Sequence, residues 1–200
     1  MLHRRPELFS AFVGTGQFVN WQETHAYNYS RMLSQAKRTE NGDALKALHD
    51  VGPPPYTDRS KAKIVFDWAE RLAEGDGDPI PPHVPQKPTN LTPEDIPSMQ
   101  QGMRFARDQL FDEFSVLDIP SLGLEFPIPM FFFHGTEDPS TPCELAEQYF
   151  AAIRAPHKEF ARFERCHHFV VFNRPNDFLR ELLVRVRPLL GATTDKLSSH

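Results

Sequence analysis

The stretch that decides the fold is FPIPMFFFHGTEDPSTP, residues 126–142. Its apolar run from Ile128 to Phe133 lacks the polar alternation of a strand with one solvated face. Such a run is typical of a central strand in a parallel sheet that helices cover on both faces. Gly135 ends the run, and Asp138 follows at the carboxyl end of the strand, where open α/β sheets collect their functional groups. The stretch therefore predicts an α/β fold with an acid at the functional edge of its sheet.

A second strand and a histidine follow along the chain. Residues 159–163 alternate apolar and polar side chains, as in a strand near a sheet edge, and lead into Cys-His-His-Phe at 166–169. The carboxyl ends of neighbouring parallel strands meet at one edge of a sheet. We therefore expect the side chains of Asp138 and His168 to lie within hydrogen-bonding reach, about 3 Å.

Helix signals separate and follow these strands. Thr141 and Pro142 indicate a helix start, as a cap and a first-turn proline. The apolar face of this helix is predicted to hold Leu145, Tyr149, Ala152 and Ile153. A second helix is predicted from Pro175. The order of the C-terminal part is strand, acid, helix, strand, histidine, helix.

Three motifs in this part resemble the C-terminal third of an α/β-hydrolase. They are HGTEDPSTP at 134–142, CHHF at 166–169 and NRPNDF at 173–178. The N-terminal stretch RRPELFSAFVGTGQ at 4–17 narrows the resemblance to the proline iminopeptidase-like branch. In that branch a similar strand follows the nucleophile helix and leads into a helical cap.

The resemblance implies roles for three residues. Asp138 would be the acid of a Ser-His-Asp triad and His168 its base, in the chain order that α/β-hydrolases use. His168 matches the Gly-His-Phe pattern of the family, and His167 stands where glycine is usual. Glu23, early in the cap, is a candidate for holding the amino group of a peptide substrate; the alternative is a solvated glutamate on a helix face. The implied activity is removal of an N-terminal residue from a peptide, or cleavage of a related amide or ester, without a cofactor.

The two triad candidates also have structural explanations. Asp138 precedes a Pro-Ser-Thr-Pro turn, where an aspartate often caps the backbone. A single histidine such as His168 is more often an ordinary surface or core residue. Because an acid and a base at adjacent strand ends fit the triad geometry together, the pair is more specific than either residue alone.

The nucleophile motif is the main departure from the family pattern. No Gly-x-Ser-x-Gly or Gly-x-Cys-x-Gly sequence occurs in these 200 residues. By the resemblance, that motif would lie before Arg4. We therefore expect a fragment or shortened form that is inactive alone. The alternative function is that of a non-catalytic protein, derived from a hydrolase, that binds a small molecule or a partner.

The predicted organisation is an incomplete α/β-hydrolase fold that carries an all-helical cap. The predicted segments are a helix remnant and core strand at 1–19, the cap at 20–122, the C-terminal core at 123–190 and a flexible tail at 191–200. The first core strand is expected at Leu8 to Val13. Within the cap, helices are expected from Asn20 to about Thr39, from a cap at Asp43, from Arg59 to Glu74, and from Thr92 to about Asp118. The proline-rich residues 75–90 are predicted to be an exposed loop.

Composition excludes several classes of protein. The formal net charge of −5 and the pI near 6.0 argue against a nucleic-acid binder. The sequence contains no apolar run of about eighteen residues, so no membrane span is predicted. No signal region is visible at the N-terminus, and a cytoplasmic protein is therefore expected. Self-association through an exposed sheet edge is expected for the incomplete sheet.

Cysteine and histidine usage does not predict a metal site. The two cysteines are too few for a disulfide framework. A metal site would draw its ligands from Cys166, His167 and His168, with His134 or Cys143. Neighbouring residues on an extended chain point in opposite directions, so this spacing suits tetrahedral zinc poorly. The prediction is that no metal binds.

Overall fold

The structure is a computed structural model that describes residues 2–74, 92 and 95–190, without the side chains of Ile96, Met103 and Arg107. The chain divides into two compact units. The sheet unit comprises Met1–Val19, Ala73–Gly77 and Ile119–His200, and the helical unit comprises Asn20–Leu72 and Asp78–Asp118. The loop predicted at 75–90 and the tail predicted at 191–200 lie outside the described residues.

The sheet unit is built on three parallel strands among the described residues. They are β1 (Phe12–Thr15), β2 (Met130–Gly135) and β3 (Lys158–Phe163), in the order β1-β2-β3. Every residue of β2 is buried, because a strand lies on each side of it and helices cover both faces. The predicted α/β fold and the predicted central strand are both confirmed.

Aromatic side chains join the sheet to its helices. On one face, Phe132 contacts Tyr149 and Phe150 of α5 (Cys143–Ala152), with ring centroids 5.9 and 5.3 Å apart. On the other face, a core cluster surrounds Phe131 and Phe133. Its partners include residues of β3, α6 (Val170–Asn173), α7 (Pro175–Glu181) and the π-helical turn Leu182–Val186 that continues α7. Full burial of each phenylalanine stabilises the unit by about 2 to 3 kcal/mol.

Two predicted strand positions were wrong. The segment Pro6–Leu8 forms a short 3-10 helix, and the first strand begins only at Phe12, whose N–H donates to the carbonyl of Pro129. The second strand begins at Met130 because Pro129 has no N–H to contribute to a strand ladder.

The predicted start of α5 also needs correction. Pro142 is its N-cap, outside the first turn, and the helix begins at Cys143. Leu145, Tyr149 and Ile153 are buried as predicted, but Ala152 is exposed.

The helical unit contains four helices among the described residues. They are α1 (Trp21–Arg38), α2 (Gly42–Val51), α3 (Arg59–Leu72) and α4 (Asp95–Ser115). The first three share a core around Met32, Leu48, Tyr56 and Val65. Within α3 the buried residues Ala62, Val65 and Ala69 recur at three- and four-residue spacings, as an amphipathic helix requires.

Two details of this unit differ from the predictions. The cap of α2 is Asn41, not Asp43, because the side-chain oxygen of Asn41 accepts the N–H of Ala44. Helix α4 ends at Ser115, before Asp118, and on its predicted apolar face Leu110 is half exposed.

Candidate active site

The candidate site lies in the sheet unit, where β2 and β3 end. Beyond the strands, the N–H of Thr136 donates to the carbonyl of Phe163, and that of Glu137 donates to the carbonyl of Cys166. The N–H of Arg165 donates to the hydroxyl of Thr136. These bonds hold the loop after β2 against the loop after β3.

The two loops approach so closely that Gly135 has no room for a side chain. A Cβ atom there would lie 2.3 Å from the carbonyl oxygens of Cys166 and His167. Because these oxygens are backbone atoms, they cannot move aside as the end of a flexible side chain would. Gly135 therefore sets the close approach that brings His168 next to Asp138.

Asp138 and His168 form a direct hydrogen bond. The His168 Nδ1 atom lies 2.8 Å from Oδ2 of Asp138. Asp138 is fully buried, and the side chain of His168 is 31% exposed. The proximity predicted from the sequence is observed, at neighbouring parallel strand ends. An ionised carboxylate only accepts hydrogen bonds, so Nδ1 carries the proton and Nε2 offers a lone pair.

The remaining bonds of Asp138 come from its own loop. Oδ1 accepts the backbone N–H groups of Ser140 and Thr141, at 2.8 and 2.9 Å. Oδ2 also accepts the hydroxyl of Thr141 at 2.6 Å. This is the turn-capping arrangement that the sequence offered as the structural explanation of Asp138. The same residue therefore caps its loop with one oxygen and bonds His168 with the other.

Three further residues lie next to the pair: Gly16, Gln17 and His134. The sequence did not indicate a role in the site for Gly16 or Gln17. The backbone of Gly16, with a φ of +58°, contacts the imidazole of His168, and a Cβ atom there would lie 2.5 Å from Cε1. The N–H of the next residue, Gln17, donates to Nδ1 of His134 at 3.3 Å. From the sequence, His134 is predicted only as a possible metal ligand. The glycines of Gly-Thr-Gly at 14–16 were the one available signal for a close approach.

Glu23 lies in the helical unit. It occupies the first turn of α1, where its N–H donates to the side-chain oxygen of the cap Asn20, and its side chain is exposed. Its predicted role in holding a substrate amino group stays a prediction.

The metal candidates do not form a cluster. Within residues 2–74, 92 and 95–190, no group of three or more His, Cys, Asp or Glu side chains is arranged to hold a metal ion. Cys143 lies beside Glu147, and burial raises the pKa of its thiol to about 12. None of the helices described here has the length and apolar content of a membrane span.

A curated protein is similar to this chain over most of its length. It is the probable aminopeptidase YbaC of Bacillus subtilis (strain 168), 26% identical over 198 residues. This similarity confirms the predicted resemblance to α/β-hydrolases of the aminopeptidase type. The match covers 91% of this chain but only 59% of the relative. No protein-family model matches the chain.

Solved structures of hydrolases are also similar. A thermophilic esterase is 18% identical, with 94% of this chain and 60% of that chain covered and a TM-score of 0.43. An alpha/beta fold family hydrolase from Bacillus anthracis str. Sterne is 13% identical, with 88% and 58% covered and a TM-score of 0.44. At these identities and TM-scores, no functional residue is transferred from either structure.

Proposed function

We propose that this chain supplies the acid and the base of a serine-hydrolase triad. The reaction would be removal of an N-terminal residue from a peptide, or cleavage of a related small amide or ester, as in the proline iminopeptidase-like branch. The observation that carries the proposal is the 2.8 Å bond between Oδ2 of the buried Asp138 and Nδ1 of the partly exposed His168.

This geometry suits general acid and base catalysis. With its proton held on Nδ1 by Asp138, His168 can accept a proton at Nε2 from a hydroxyl nucleophile. Asp138 would stabilise the resulting imidazolium, which then returns the proton to the leaving amine or alcohol. Three hydrogen bonds from its own loop also stabilise the negative charge on the Asp138 carboxylate.

The peptidase activity is proposed from the sequence resemblance and from the similarity to a probable aminopeptidase. An aminopeptidase must recognise a positively charged amino group, and an exposed carboxylate meets that need. We propose Glu23 for this role.

These 200 residues contain no Gly-x-Ser-x-Gly motif to supply the nucleophile. We expect the 200-residue chain to show no serine-hydrolase activity. The testing experiment begins with the nucleotide sequence upstream of Met1. If it encodes an in-frame Gly-x-Ser-x-Gly segment, the extended chain is expressed and assayed on aminoacyl p-nitroanilides and on p-nitrophenyl esters.

His168→Gln in the extended chain is the decisive variant, and His167→Gln is its matched control. Loss of the base should lower kcat by about 10⁶-fold, because removal of a triad histidine has an effect of that size. The control should stay within a few fold. Glu23→Gln should raise KM for the aminoacyl substrate and leave KM for the ester unchanged.

Two outcomes would overturn the proposal. One is hydrolysis by the 200-residue chain that survives His168→Gln. The other is an active extended chain in which the two histidine variants behave alike. An extended chain that reacts with a fluorophosphonate probe only when His168 is present would support it.

One observation favours a non-catalytic, small-molecule-binding protein. A cavity of about 160 Å³ lies in the sheet unit, with a mostly apolar lining that includes Phe12, Phe132 and Tyr149. Ligand pockets usually have about 300 to 1,000 Å³, so this cavity would admit only a very small molecule. The binding function would be supported if the upstream sequence encodes no nucleophile segment and the 200-residue chain folds as a stable monomer.

A further inference from the structure

His134 is a fully buried histidine whose ring is bonded on both sides. It lies on β2, one residue before Gly135. Its Nδ1 atom faces the N–H of Gln17 at 3.3 Å, and its Nε2 atom faces the carbonyl oxygen of Thr141 at 2.7 Å. The first partner can only donate and the second can only accept. The ring is therefore neutral, with its proton on Nε2.

The neutral form matters because Asp138 is close. Nε2 of His134 lies 3.8 Å from Oδ2 of Asp138, the oxygen that His168 uses. A protonated His134 would place a positive charge beside that oxygen, and its added N–H, on Nδ1, would point at another donor, the N–H of Gln17. Burial lowers the pKa of His134, while the carboxylate of Asp138 acts in the opposite direction.

The two hydrogen-bond partners of His134 belong to the segments that contact Asp138 and His168. Thr141, held through its carbonyl, gives its own N–H and hydroxyl to Asp138. Gln17, held through its N–H, follows Gly16, whose backbone contacts the ring of His168. One buried side chain thus connects the turn that packs on the base to the loop that carries the acid.

We propose that His134 is a positioning residue for the pair of Asp138 and His168. It acts through Gln17 and Thr141 and does not touch substrate. This inference rests on the proposed function for the meaning of the pair, but its test reads the pair directly and needs no enzymatic activity.

The test uses NMR of the 15N-labelled 200-residue chain. The wild type should show a downfield, slowly exchanging proton on Nδ1 of His168, and Asp138→Asn should remove it. His134→Phe keeps the ring size but loses both bonds, and should speed exchange of that proton about tenfold, as loss of a buried hydrogen bond would in a local opening equilibrium. His134→Gln can still donate to Thr141 and should restore slow exchange.

Gly16→Ala tests the other end of the connection. Its methyl group would overlap the imidazole of His168, so the Nδ1 proton signal should be lost. Gly52→Ala is the matched control, because Gly52 also has a positive φ, +76°, but has no atom within 4 Å of the added Cβ. The control should keep the signal even if its strained backbone lowers stability.

The outcomes separate the two proposals. If the wild type lacks the downfield proton and Asp138→Asn changes nothing, the proposed function fails. If the wild type shows it and a folded His134→Phe exchanges it at the wild-type rate, the positioning role is overturned. Should His134→Phe not fold, His134→Asn decides in the same way, since its shorter side chain cannot reach the Thr141 carbonyl.

Discussion

At the scale of single residues, Asp138 is held firmly by its hydrogen bonds. It is fully buried, and its two oxygens accept four hydrogen bonds, from Ser140, Thr141 and His168. An asparagine has the same shape but replaces one acceptor oxygen with a donor. At least one buried N–H or O–H group would then face another donor.

We therefore expect Asp138→Asn to lower the free energy of unfolding by about 2 kcal/mol. Asp177→Asn is the matched control, because Asp177 pairs with Arg180 on the surface of α7 and should change stability by less than about 1 kcal/mol. Urea unfolding at pH 7 measures both. Equal small losses in the two variants would show that the Asp138 loop is not held as described.

His25 is a second buried residue with a measurable consequence. It lies on α1, 4% exposed, with its ring edge-on to Trp21 at 4.4 Å and to Tyr56 at 5.6 Å. Burial lowers its pKa from 6.5 to about 4. Between these values the unfolded chain binds a proton that the folded chain does not, so stability falls as pH decreases from about 6.5 to about 4.

His25→Phe should remove this part of the pH dependence and keep the aromatic contacts. The measurement is the free energy of unfolding at pH 7 and pH 5, in the wild type, in His25→Phe and in His49→Phe, an exposed control on α2. The lowered pKa of His134 contributes in all three proteins, so the difference between them isolates His25. The same pH dependence in all three would contradict the prediction.

At the scale of elements, α2 depends on the cap Asn41, which stands in place of the predicted cap Asp43. The side-chain oxygen of Asn41 accepts the N–H of Ala44 at 3.0 Å. Asn41→Ala should cost about 1 kcal/mol of stability, because it leaves a helix N–H without its partner. Asn41→Asp keeps an acceptor and should stay close to wild type. Thermal unfolding of the two variants tests this, and equal losses would rule out a capping role.

The elements that the sequence predicted well are those with a strong pattern. The apolar run at 128–133 identified the central strand. The stretch at 21–33, which contains no helix breaker, identified α1, and apolar residues at three- and four-residue spacings identified α3. Element ends were less predictable, because they depend on single backbone bonds. The strand β1 begins at Phe12, whose N–H donates to the carbonyl of Pro129. The pattern of side chains does not predict this backbone bond.

The candidate site shows the same division. Asp138 and His168 could be found because strand ends and chain order are visible in a sequence. The roles of Gly16 and His134 could not, because they depend on contacts between the turn at 16–17 and side chains far along the chain. A glycine that contacts an imidazole ring looks, in sequence, like any turn glycine.

At the scale of the whole molecule, the edge of the sheet decides how the 200-residue chain behaves in solution. Among the described residues, β1 pairs with β2 on one side only. The N–H of Phe12 points toward β2, so alternation along the strand directs the N–H groups of Val13 and Thr15 to the other side. An edge of this kind is a template for pairing with another strand.

We expect the 200-residue chain to self-associate through this edge. Thr15 has an exposed side chain, and Thr15→Lys places a charge there, which natural edge strands use to prevent pairing. Thr39→Lys is the control, with the same change at an exposed residue after α1. Size-exclusion chromatography with light scattering should show oligomers for the wild type and the control, and a shift to monomer for Thr15→Lys. A wild type that stays monomeric at all concentrations and unfolds cooperatively would defeat the prediction. It would also strengthen the binding-protein alternative, because the sheet would then be stable without a further strand.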